Sequence, residues 1–206
     1  LGYACICNSI EEHMHTITYT NYLKDKNKIN DIVKQNFEVL KKILTYNNKN
    51  NIHFYRLSSN FIPCASIIEY DYPNIFKKEF KEISKLIKGR FDMHLSEYCI
   101  LNSTNKEVVK RSIDEIKYHY KLLKSFKVKP NLIIHIGSKS FGKENSITRF
   151  INNFNKLPNY LKNTLLIEND DKVFNVEDTL RLCQKIKRPM VLDVHHHNCN
   201  KTDKDL

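Results

Sequence analysis

The sequence has no Cys-x-x-Cys pair, and its six cysteines fall at irregular intervals. That excludes a structural zinc ribbon and a thioredoxin-type redox site, and leaves free thiols in a reducing compartment as the expectation. Cys5 and Cys7, two apart in the first apolar segment, are expected to share one face of a strand. No apolar run approaches the ~18 residues of a membrane-spanning helix, and no secretory signal pattern opens the chain, so no membrane partner is expected. Only four glycines are present. None builds a phosphate loop after the first apolar segment, which counts against a dinucleotide-binding fold and a nucleotide cofactor. No linker or low-complexity tract divides the 206 residues, so residues 1–206 are expected to form a single domain. An initiator methionine is also absent, and both ends are expected to be cut.

What is abundant is positive charge. Lys and Arg number 34 against 23 Asp and Glu, a net charge of +11. Such an excess suits a phosphate-rich partner. Because 28 of the 34 are lysine and 24 asparagines accompany them, part of the excess is compositional.

Short apolar runs alternate with longer amphipathic stretches. Strands are predicted at residues 1–7, 53–57, 90–94, 131–136, 164–168 and 189–195, and helices at 29–46, 75–88, 107–126 and 176–186. Asn105 and Ser146 are predicted N-caps, and Gly89 a left-handed C-cap. Repeated strand–helix alternation with continuously apolar strands implies parallel pairing and an α/β class with both sheet faces covered. Periodicity alone leaves an open sheet and a barrel as alternatives.

The chemistry collects at the strand ends. Apolar runs terminate in His94, His135, Glu168 (followed by Asn169-Asp170-Asp171) and Asp193 (followed by Val194-His195-His196-His197). Parallel strands bring their carboxyl ends to one face, where α/β folds place their sites. Acidic groups there are costly unless compensated, and a cation compensates them. Imidazole and carboxylate without thiolate suit Mn²⁺ or Zn²⁺. Multi-metal sites of this kind hydrolyse phosphate esters, and they also serve sugar isomerisation. Arg56-Leu57-Ser58-Ser59-Asn60 after the second strand offers groups for phosphate or sugar, or alternatively a turn cluster. Glu97-Tyr98 puts an aromatic beside the same mouth, either to stack on an unpaired base or to pack on the following helix.

In these residues the sequence resembles the UV damage endonuclease family. The matching pieces are Leu1-Gly2-Tyr3, Arg56-Leu57-Ser58-Ser59-Asn60, His94, His135-Ile136-Gly137 leading to Gly142-Lys143, Leu166 through Asp171, and Leu192-Asp193-Val194-His195-His196. The resemblance implies a (β/α)8 TIM barrel, here about six of its eight units. It implies up to three divalent ions, usually Mn²⁺ with Zn²⁺ or Mg²⁺ as alternatives, and damaged double-stranded DNA as partner. The implied reaction is an ATP-independent nick 5′ to a UV photoproduct, leaving a 3′ hydroxyl and a 5′ phosphate. His94, His135, Glu168, Asp193 and His196 look like metal ligands, with Glu168, Asp193 and His135 as the catalytic residues. His195, if on a strand, points away from the face of His196. Tyr3, Asn8, Arg56, Ser58, Asn60, Glu97, Tyr98 and Lys143 look like DNA and lesion contacts. Glu97 departs from the family's usual glutamine and adds negative charge facing DNA. The resemblance further implies a cytoplasmic, nucleoid-associated protein.

The family's last two strands supply a lysine, a histidine and a glutamate that nothing after Asn198 provides. The segment alone is therefore expected to be poorly soluble or inactive. An apurinic-site endonuclease, a sugar isomerase or epimerase, and a DNA-gripping copy that does not cut stand as the alternatives.

Overall fold

The computed structural model describes residues 1–202, which divide into two compact units, Leu1–His94 with Lys121–Pro130, and Leu95–Tyr120 with Asn131 onward. In the first unit the strands β1 (Gly2–Ala4), β2 (Phe54–Leu57) and β3 (Arg90–His94) pair in parallel, with Gly2 opposite Phe54 and Phe54 opposite Arg90. Its helices are α1 (Tyr19–Lys24), α2 (Lys28–Lys49), α3 (Tyr72–Ile75) and α4 (Lys77–Leu86). Helix α2 buries Ile29, Ile32, Val33, Asn36, Phe37, Leu40, Ile43 and Leu44, the spacing of one continuous apolar face. Asn36 is the polar member of that face. Its carboxamide donates to the carbonyls of His15 and Phe61, each at 2.9 Å, and accepts from the His15 amide at 2.7 Å, tying two loops to the helix.

The core of this unit is aromatic. Phe37 lies against Phe61, Phe76, Phe80 and Phe126 with ring centroids 4.9–6.2 Å apart. Each such pair adds ~1 kcal/mol beyond the area it buries. Between β2 and β3, Asp92 is fully buried and held by two guanidiniums, Arg56 at 3.3 Å and Arg90 at 2.8 Å. Burial pushes its carboxyl above the usual carboxylate range, against the opposing pull of Arg56 and Arg90.

The helix α5 (Lys106–Ser125) contributes its last residues to the first unit and the rest to the second. In the second unit β4 (Leu132–His135), β5 (Leu165–Glu168) and β6 (Met190–Val191) pair in parallel. The intervening helices are α6 (Lys143–Lys156), α7 (Asn159–Lys162) and α8 (Val176–Ile186), and α9 (Val194–Cys199) follows β6. Phe150, Phe174, Leu161, Leu165, Ile167 and Leu182 are buried around the strands. No helix among the described residues is long and apolar enough to cross a membrane, and all six cysteines are free.

Several local expectations are revised. The first strand ends at Ala4: Cys5 takes a left-handed φ of 59° and is exposed, whereas Cys7 is buried, so the two do not share a face. The helix expected at 75–88 is two helices meeting at Phe76, whose φ of −107° closes one and opens the other. Asn105 does cap α5, accepting from the Glu107 amide at 2.9 Å. Ser146 lies inside α6, buried, with its hydroxyl donating to the Ser140 carbonyl, and Gly142 takes the capping position. Gly89 is not left-handed; it is required because a Cβ would come 2.0 Å from the His53 carbonyl oxygen. The last strand stops at Val191, because the Asp193 side chain accepts the His196 amide and starts a helix there. His195 and His196 are thus helical neighbours, not opposite faces of a strand.

Candidate metal centre

The centre forms where three parallel strands of the second unit end. Leu132, Ile133 and Ile134 are buried to within 1% and fix β4, which then delivers His135. In β5, Leu165 and Ile167 do the same for Glu168. His135 and Glu168 are register partners, so both side chains leave the same face. The His135 Nε2 stands 3.6 Å from the Glu168 Oε2. Glu168 is itself 2% exposed, a carboxylate that water hardly reaches.

The third contributor arrives by capping, not by strand geometry. Asp193 accepts the His196 amide through Oδ1 at 2.8 Å. Its Oδ2 lies 3.8 Å from the His196 Nδ1. That Nδ1 is 2.9 Å from the Asn169 carbonyl, which assigns the ring proton to Nδ1 and leaves the Nε2 lone pair available as a ligand. The His196 and His135 rings are 5.3 Å apart. Glu168, Asp193 and His196 each offer one ligand atom, all within 4.8 Å of one another, and so could hold an ion. Two carboxylates and an imidazole without thiolate match a hard or borderline divalent cation, and such a cation offsets the cost of burying Glu168. The residues fit a divalent metal.

The neighbouring acids do other work. The Asp170 carboxylate accepts the backbone amides of Lys172, Val173 and Phe174 and so folds the loop from β5 to α8. Asp171 pairs with Lys172 at 3.6 Å. His195 is exposed on α9.

Glu97 and Tyr98 occupy a tight turn closed by the Cys99 amide donating to the Ser96 carbonyl at 3.0 Å. Glu115 of α5 accepts both the Ser96 amide, at 2.7 Å, and the Ser96 hydroxyl, at 2.9 Å. Ser112 accepts the Ile100 amide at 2.8 Å on the far side. The turn is therefore pinned at both feet while Tyr98 is 76% exposed, so the ring faces solvent and does not pack on the following helix.

The remaining expected contacts are more occupied. Lys143, the first residue of α6, reaches Asp178 at 2.6 Å. In the first unit Tyr3 donates its hydroxyl to Asn47 Oδ1 at 2.7 Å, and burial pushes its phenol pKa up. Arg56 faces Asp92. Ser58 accepts the Asn60 amide at 3.3 Å in the turn after β2, and Asn8 is exposed in a turn. His94 ends β3, half-buried.

Three residues to which the sequence assigns no role stand out. Asn169 is fully buried and bonds Asp193 through both ends of its carboxamide. Glu115 anchors the Tyr98 turn. Phe141 is 79% exposed with a left-handed φ of 61°, a costly posture for an aromatic, in a loop whose Ser140 carbonyl is gripped by Arg149. The motif around Gly137 and Gly142 marked that loop, but exposure leaves no trace in the sequence.

The whole chain, residues 1–206, matches the family model described as UV-endonuclease UvdE. A UV DNA damage endonuclease of Bacillus thuringiensis subsp. konkukian (strain 97-27) is 36% identical over 203 residues, covering 93% of this chain and 64% of the relative. The same identity and coverage hold for the UV DNA damage endonuclease of Bacillus cereus (strain 03BB102). The chain thus spans 64% of the length of these relatives. Among solved structures, the crystal structure of SacUVDE matches with a TM-score of 0.93 and 36% identity, over 100% of this chain and 72% of that one. Endonuclease IV from Thermus thermophilus matches with a TM-score of 0.50 and 14% identity, over 76% of this chain and 58% of that one, a likeness of fold alone. With these likenesses the fold class is α/β of the TIM-barrel kind, represented by six strand–helix units.

Proposed function

The chain belongs to the UV-endonuclease UvdE family, and on that premise we propose that it serves metal-dependent incision of UV-damaged duplex DNA. The cut falls 5′ to the photoproduct and leaves a 3′ hydroxyl and a 5′ phosphate. The observation that carries the reading is the trio Glu168, Asp193 and His196, one ligand atom each within 4.8 Å, with His135 beside Glu168. A divalent ion there, Mn²⁺ in this reading, supplies Lewis-acid polarisation of a phosphodiester. Glu168 and Asp193 give the negative charge that holds it. His196, its Nδ1 tied to the Asn169 carbonyl, keeps the Nε2 lone pair available as a ligand. His135 is placed by β4 as a further ligand, and the family resemblance carries the same role to His94.

Recognition of damage falls to Tyr98. A photoproduct weakens stacking, and a ring on a turn pinned by Glu115 and Ser112 can take the place of a displaced base with little ordering cost. Glu97 beside it adds a negative charge facing the duplex. Lys143 meets a backbone phosphate by exchanging it for Asp178. Tyr3 and Asn8 are assigned to the lesion pocket, and Arg56, Ser58 and Asn60 to sugar and phosphate.

Incubation of the protein extended to the length of its relatives, with Mn²⁺ and either irradiated or depurinated plasmid, tests this, because the segment alone is expected to be inactive. Relaxation of the irradiated plasmid is expected. Intact irradiated DNA would sink the reading, and relaxation of the depurinated plasmid alone would favour an apurinic-site endonuclease. Tyr98→Ala is expected to lower the preference for irradiated over intact duplex about tenfold, within the range of one base–aromatic stack, and to leave Mn²⁺ affinity unchanged. Competition binding on the two duplexes measures it, and an unchanged preference would remove Tyr98 from recognition.

A further inference from the structure

We infer that Asn169 is a positioning residue for the ligand pair Asp193 and His196, an inference that rests on the metal reading above. The parallel ladder between β5 and β6 is brief: Ile167 pairs with Met190 and Glu168 with Val191, and there the strand stops. Two residues further on, the Asn169 carboxamide takes over the ladder's work. Its Nδ2 donates to the Asp193 carbonyl at 3.0 Å, and its Oδ1 accepts the Asp193 amide at 2.9 Å. The same residue's backbone carbonyl meets the His196 Nδ1 at 2.9 Å. One fully buried side chain and its own peptide thus fix the place of one ligand and the tautomer of another.

The chemistry requires a carboxamide. A donor and an acceptor side by side satisfy both halves of the Asp193 peptide. An aspartate offers no donor to the carbonyl, and a leucine satisfies neither group. Its location also has a reason. As the residue after Glu168, Asn169 is carried by the same strand end that delivers the first ligand, so all three ligands refer to β5. Partners of this kind, which orient ligands without touching the ion, typically govern metal affinity by 10–100-fold.

The test is a Mn²⁺ titration followed by the electron paramagnetic resonance signal of free Mn²⁺, with thermal melts of the metal-free proteins alongside. Asn169→Ala is expected to weaken binding by about 10–100-fold. Thr164→Val removes another buried hydrogen bond, to the Leu161 carbonyl, at the opposite end of β5. It is expected to lower the melting temperature and leave Mn²⁺ affinity at the parent's value. A parent-like isotherm for folded Asn169→Ala would overturn the positioning role, whereas absence of Mn²⁺ binding by the parent would instead overturn the metal reading itself. Should Asn169→Ala fail to fold, amide exchange in the unsubstituted protein decides. Zn²⁺ is expected to slow exchange of the Asp193 amide, because a contact that favours binding is favoured by binding in return. Unaltered exchange in protein shown to bind Zn²⁺ would overturn the proposal.

Discussion

In the protein extended to the length of its relatives, Glu168→Gln is expected to abolish Mn²⁺-supported nicking of irradiated plasmid, by about a thousandfold or more, a loss of ~4 kcal/mol in transition-state stabilisation. The substitution keeps volume and shape, removes the charge and turns one acceptor oxygen into an N–H donor. Glu168 stands at the meeting point of the centre, 3.6 Å from His135 and in one group with Asp193 and His196. A neutral amide there lowers affinity for a cation and leaves Asp193 as the carboxylate of the trio. A 2%-exposed carboxylate is costly to bury even beside His135, and β5 is held chiefly by Leu165 and Ile167. The metal-free variant should therefore melt no lower than its parent. Single-turnover nicking and Mn²⁺ titration on the same preparation check both halves. An unaltered nicking rate would show the metal assignment to be wrong.

Arg56→Ala is expected to cost about 3 kcal/mol of stability at neutral pH, because it strands part of a buried charge. Asp92 has no exposed surface and two guanidiniums, and Arg90 alone, with a side chain 52% exposed, compensates it poorly. The pH dependence follows from the direction of the shift. Burial already holds the folded Asp92 carboxyl above its unfolded value, so protonation favours the folded form. Loss of Arg56 raises it further. The deficit of the variant is then complete above its folded pKa and closes as pH falls through it, when Asp92 becomes neutral. Denaturant unfolding of parent and variant at neutral and at acidic pH measures this, and a deficit independent of pH would refute it. This role for Arg56 is invisible in the sequence, where a guanidinium next to serines and asparagine reads as a phosphate contact; only the register of β2 against β3 places Asp92 beside it.

The legible parts share a physical cause. His135 and Glu168 are readable because each closes an apolar run of strand length, and polar side chains that close parallel strands collect at the mouth of the sheet. The α/β class follows from the same runs. Asp193 reads as a member of a strand, and His196 as the residue just past it, because Met190-Val191-Leu192 is apolar and nothing before Asp193 breaks it. The spacing that matters is the capping one, three residues from carboxylate to amide. Asn169 is beyond reach for another reason. Its place next to Glu168 marks the segment, but its role is the pairing of its carboxamide with the Asp193 peptide, 24 residues away, and spacing does not show that.

On the metal reading proposed above, the double duty of Asp193 bears on how such a centre can change over time. One of its oxygens starts α9 while the other lies toward the ligand group. Drift toward a different ion, or toward none, cannot proceed by replacing this residue freely: serine or asparagine would preserve the helix start and surrender the charge, and glutamate would keep the charge and overshoot the cap. Each single step away from aspartate damages one of two unrelated requirements. A lineage can abandon the metal and retain the fold by passing through asparagine, but it cannot readily exchange one carboxylate for another here. The position is a ratchet, set by the shortness of a side chain.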